Sequence, residues 1–409
     1  MSIAAFVILG LHRFQIGPLV MPSSRDTAYM RPEDLARLNK LYPEHVEPTD
    51  ADARSAIGLK LTHWTALEDE IFADFTEQPP YGISWWAPDP GTSRRILISD
   101  QLYCCLDSVV NNMIEASLHW LEYLDARDRD NARLAHAVKM TPSEPVFHPP
   151  RARNAFDQLC PDFIRIHQAG MIRSLASALD CLAGVIIGVA ALPLSILKAD
   201  FGKVRAALAK INREANTGAA MQVRFNGQLE TALTAAGPYG WLDWTLDFRN
   251  MLVHRGRRIE LGQLLPVEPV LLGPNGRPAP RARRASHLPR DPGRSDIEVF
   301  LDTPSNTVLH EDGLRTLEAA TGSTANLLET IAVHLLDLWQ WRRNHPGELR
   351  QPAEQWKNGP STQTTGFSGY APGSLTLDPS VGTLHPITAR RIHAAALDDP
   401  ARPQWAKFD

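Results

Sequence analysis

From Cys181 to Leu197 the chain carries no charged side chain. This run ends a longer helical pattern, Asn154 to Ala191, whose second half is apolar nearly all round. A helix without a polar face must bury its whole circumference. In a globular chain that makes it the centre of a bundle, wrapped by other helices. As a membrane span the run is at the short limit of length, and it contains Pro193. The charges beside it, Arg173, Asp180, Lys198 and Asp200, suit a bundle core. The expectation is a buried central helix and no membrane span.

The rest of the chain supplies the wrapping. Leu59 to Phe75 is helical in pattern. From Ser99 to about Ala126, Leu102, Leu106, Val109, Val110, Met113, Leu118, Leu121 and Leu124 recur at spacings of three and four. The charged segment Asp125 to Arg133 and the Pro-rich Thr141 to Pro150 are expected to break that helix, and Cys160-Pro161 to interrupt the next. Shorter helices are expected at about 201–215 and 219–235. Gly237-Pro238 then sets the start of a helix from Trp241 to Arg255. Leu309 to Arg343 forms the last, with Arg342 and Arg343 at its end. Consecutive helices with short connections predict a mainly α fold, a helical bundle.

A chain of 409 residues exceeds one ordinary domain. The predicted division is an N-terminal extension over 1–97, a bundle over 98–350 and an irregular tail over 351–409. The extension mixes helix and loop: a helix starts at Arg31 to Leu38, and Trp85-Trp86 reads as a surface-packing or contact element. The tail is rich in Gly, Pro, Ser and Thr. Inside the bundle, 259–305 is a basic insertion, an Arg/Pro-rich loop or small β-hairpin. There Ile259 to Leu272 makes a strand with Ser295 to Leu301 as its partner, and Gly273 to Arg294 loops between them.

The content of 44% apolar and 22% charged residues is that of a soluble globular protein. The net charge of -4 points to no overall nucleic-acid affinity, so any basic surface is local. One such surface exists: Arg249 to Arg294 holds ten arginines and three acids, a local charge of about +7. Four cysteines without a CxxC pair suggest no disulfide framework and a reducing cytoplasm. There is no phosphate-cradling glycine loop, dinucleotide fingerprint or nucleophile elbow. His310, His334 and His345 lack metal-ligand spacing. No cofactor or metal is expected.

The chemistry concentrates in Arg249-Asn250-Met251-Leu252-Val253-His254. On a helix Asn250 and His254, four apart, share a face, and Arg249 lies roughly 140° from His254. A guanidinium on its long stem can reach round to the same pocket. A fixed cation, an amide and a group titrating near neutral pH are the parts needed to hold a phosphodiester and move a proton on it. Trp241 and Trp244, beside Leu242 and Leu246, favour core packing over base stacking.

This Arg-Asn-x-x-x-His form, on a helix late in a bundle, resembles the HEPN superfamily. Those are α-helical bundles, many of them metal-independent ribonucleases of toxin–antitoxin, phage-defence and RNA-processing systems. The resemblance implies a metal-independent endoribonuclease acting as a toxin or antiviral effector. It implies Arg249, Asn250 and His254 as catalytic residues, with RNA as substrate. Arg255, Arg257 and Arg258 would contact RNA. A supporting acid would hold Arg249, Asp180 being the candidate and Asp107, one turn from Asn111, a rival. The family usually builds one site from two motifs across a dimer. With one motif per chain, a homodimer follows, with an antitoxin or regulatory partner where the system has one. The alternative within the same resemblance is a non-catalytic binding or dimerisation module.

Overall fold

The computed structural model describes residues 60–76, 86, 92–140, 155–254, 261–271, 278–295, 298–299, 301, 307–349 and 369–372, with backbone alone at 76, 92–98, 132, 134–140, 155–158 and 261–285. The described elements are mainly α, seven helices and one two-stranded ribbon. In chain order they are α1 (Thr62–Thr76), α2 (Thr92–Met140), α3 (Ala155–Ala190), α4 (Phe201–Leu208), α5 (Thr217–Ala236), α6 (Trp241–His254), β1 (Leu261–Leu271), β2 (Pro278–His287) and α7 (Gly313–Asn344). The expected helix start at Arg31 to Leu38, Arg255, Arg257 and Arg258, and nearly all of the tail lie outside the described residues.

The apolar helix is where its sequence puts it. Every residue of α3 from Leu182 to Ala190 is buried. The stretch Leu159–Ala190 is long and apolar enough to cross a membrane, and 78% of its most apolar window is buried within the fold. Its main partner is α2, which runs antiparallel to it. Glycines mark the seam. A Cβ at Gly170 would lie 2.3 Å from His119, one at Gly184 2.6 Å from Cys105 Sγ, and one at Gly188 2.7 Å from Leu102. The partners descend along α2 as the glycines ascend α3, so absent side chains let the two backbones approach along the whole pairing.

The C-terminal end of α3 is closed from three sides. Buried Arg342 donates from Nη1 to the carbonyls of Gly188 and Val189 (2.9 and 2.6 Å) and from Nη2 to that of Leu349 (3.0 Å). Gln222 Nε2 donates to Ala190 O at 2.6 Å, and Trp86 Nε1 to Gly188 O at 3.0 Å. These donors satisfy carbonyls that a helix end leaves open. Removal from water lowers the pKa of Arg342 to about 9, so the guanidinium remains charged at neutral pH. Trp86 is fully buried, which corrects its reading as a surface contact. Helix α1 belongs to the same core: Trp64, Leu67 and Ile71 are fully buried in it, and Trp339 of α7 donates to Asp74 at 2.6 Å.

Three boundaries differ from expectation. Helix α2 continues to Met140 through the charged run. That run is laced rather than broken: Arg129 pairs with Asp125 at 2.5 Å, Arg133 with Asp130 at 2.7 Å, and buried Arg127 with Asp312 at 2.6 Å. Helix α3 runs through Pro161, which falls near its start, where few backbone bonds are disturbed. The partner of β1 is Pro278–His287, not Ser295 to Leu301. Prolines in both strands are tolerated because a two-stranded ribbon is all edge, and a bulge between Val267 and Val270 takes up Pro269.

Candidate functional site

Helix α6 begins after Gly240, whose φ of 82° only glycine adopts freely. It buries Leu242, Thr245, Phe248 and Met251, a ladder at spacing three. Trp241 and Trp244 are core and boundary residues. Their indole N–H groups donate to Leu233 O (3.2 Å) and Pro289 O (2.9 Å), and Trp244 packs its ring on Phe248. The opposite arc carries Asp243, Asp247, Asn250 and His254: Asp243 and His254 are exposed, Asp247 and Asn250 half-buried.

Arg249 stands at the edge between the two arcs and turns to α3. Its Nη2 lies 3.0 Å from Oδ2 of Asp180, with both side chains about 30% exposed. Burial pushes the Asp180 carboxyl above its ordinary value, Arg249 pulls it down, and neighbouring Asp200 adds to the rise. The upward direction prevails, so the pairing does not fully offset the loss of water. The rival acid is engaged elsewhere: Asp107 accepts from Asn111 at 2.8 Å.

Seven residues before Asp180, two helical turns along the same face of α3, stands Arg173. Its Nη2 lies 3.3 Å from the carbonyl oxygen of Leu252, in the last turn of α6 and two residues short of His254. The two contacts, Asp180 to Arg249 and Arg173 to Leu252, run in opposite chain order, so α6 lies antiparallel to α3. Sequence reasoning gave Arg173 no part in the site because it stood among several charges beside the apolar run, read together as suiting a bundle core. Its signal was the seven-residue spacing from Asp180.

The structure thus brings Arg249 and Asp180 together and sets Asn250 and His254 on a shared outer face. Among the described residues no hydrogen bond or ion pair joins Arg249 to His254, and neither Asn250 nor His254 has a side-chain hydrogen bond. No group of three or more metal-ligating side chains converges among the described residues. In comparisons with known proteins, no family model, no curated protein and no solved structure matches the chain.

Proposed function

We propose that the chain is a metal-independent endoribonuclease of HEPN type. The observation that carries the reading is the helix α6 itself. Its arginine is held in place by a buried-side carboxylate at 3.0 Å, while its histidine, five residues on, is presented to solvent beside an amide. In the proposed reaction the 2′-oxygen of RNA attacks the adjacent phosphorus and the bond to the 5′-oxygen breaks. One His254 takes the 2′-OH proton, and a protonated His254 returns one to the leaving 5′-oxygen. Arg249 stabilises the charge gathering on the phosphorus. Asn250 orients His254 or a phosphate oxygen.

Two histidine roles and one motif histidine per chain call for two chains. A surface suited to that meeting adjoins the site. Leu159 and Ile166 repeat the seven-residue spacing of Arg173 and Asp180 on α3, are 46% and 52% exposed, and lie towards and beyond the end of α6, where Val253 is 51% exposed. A homodimer across this apolar face would bring two α6 ends together. The reducing cytoplasm proposed for the protein suits its four free thiols, and the toxin or antiviral role follows from the same resemblance, with an antitoxin or other regulator as partner.

A second reading draws on the same ion pair. An arginine pinned to a carboxylate also holds helices together, as a non-catalytic dimerisation module would need. Cleavage of single-stranded RNA by the purified protein in EDTA separates the two. Activity lost in both Arg249→Ala and His254→Ala, with circular dichroism unchanged, supports the enzyme. Cleavage that survives both substitutions, or full activity in a protein that sediments as a monomer, contradicts it.

A further inference from the structure

We infer that Arg173, on α3, is a further cation of this site, and that it binds the phosphate beside the scissile one or the scissile phosphate itself. The inference rests on the ribonuclease reading above and extends it to a residue outside the six-residue motif.

Charge balance leads to it. A phosphodiester brings one negative charge, and the transition state of its cleavage gathers more on the phosphoryl oxygens. Arg249 is already matched by Asp180 at 3.0 Å, so that pair adds no net charge. The arc of α6 that carries Asn250 and His254 also carries Asp243 and Asp247. Among the described residues, the surroundings of His254 on α6 therefore carry no net positive charge.

Arg173 supplies a further cation. It is exposed, and among the described residues no carboxylate lies within ion-pair distance of it. Its one bond among the described residues, 3.3 Å from Nη2 to Leu252 O, uses a single donor and leaves most of the guanidinium fork for a ligand. That bond also anchors the fork beside the last turn of α6, so little side-chain freedom remains to be lost on binding. The ligand class is therefore the phosphodiester backbone of a single RNA strand, held without regard to base.

The test measures affinity apart from chemistry. Binding of a fluorescent single-stranded oligo-uridine to full-length His254→Ala protein is followed by anisotropy across a salt series, with and without Arg173→Ala. Arg173→Ala should weaken binding about tenfold at low salt and lower the slope of log affinity against log salt by about 0.7, one phosphate contact on a single strand. Arg173→Lys should keep the slope and only part of the affinity. In otherwise wild-type protein, Arg173→Ala should lower kcat/KM with the melting temperature unchanged, since the side chain is exposed. Unchanged affinity and slope in a protein that does cleave RNA overturn the role of Arg173 alone. A wild-type protein that neither binds nor cleaves RNA overturns this inference and the ribonuclease reading together.

Discussion

Histidine 119 reaches from α2 into the gap left by Gly170 and meets His167 of α3, with their Nδ1 atoms 3.1 Å apart. Burial lowers the pKa of both, and His167 lowers that of His119 further, against the smaller opposing effects of Glu115 and Glu122. A histidine whose folded pKa lies below its unfolded value of about 6.5 binds fewer protons folded than unfolded. Stability from this pair is complete above about pH 6.5 and is lost as pH falls through the folded values. The melting temperature should therefore drop as pH falls below about 6.5, and His119→Gln should flatten that part of the curve. A slope unaltered by the substitution would place the pH sensitivity elsewhere. At this scale the sequence was legible where chemistry contrasts with its setting. Asp180 stood out as the acid on the inner half of an apolar helix, and the structure pairs it with Arg249 at 3.0 Å. Arg173 and the histidine pair did not stand out. Each depends on the register of two helices far apart in sequence, which spacing within one helix does not reveal.

The helices were legible because their apolar residues recur at three and four; the structure adds caps at Asp200, Asn216 and Asp312, each accepting from a backbone N–H of the following turn. What misled was charge. The run from Asp125 to Arg133 reads as a break by composition, yet ion pairs three and four apart keep it helical. The hairpin partner was misplaced because β2 is rich in arginine and proline rather than in the branched residues that mark a strand. Two glycines test the packing of these elements. Gly184→Ala drives a methyl into Cys105 and should cost about 1–3 kcal/mol. Gly227, inside α5 with nothing within 4 Å of its missing Cβ, should gain about 0.5–1 kcal/mol as alanine. Urea titrations of the two variants should shift in opposite directions; a shared direction would mean that α2 and α3 are not held at glycine distance.

In the whole molecule one buried helix organises both the core and the site. The long helix α3 is wrapped by α2, α4, α6 and α7, and its C-terminal carbonyls are closed by Arg342, Gln222 and Trp86. It carries Arg173 and Asp180 to α6, with exposed Leu159 and Ile166 at the same seven-residue spacing. The bundle was therefore readable from the uncharged run and the helical patterns around it, whereas the proposed meeting of two chains rests on the resemblance. The ribonuclease reading makes one commitment that no binding module shares, which is attack by the RNA's own 2′-oxygen. Mass spectrometry of the products of single-stranded RNA cleaved in EDTA reads that step directly. The expected products end in a 2′,3′-cyclic phosphate on one side and a 5′-hydroxyl on the other, and disappear with His254→Ala. Products ending in a 3′-hydroxyl and a 5′-phosphate, or RNA left intact, would contradict it.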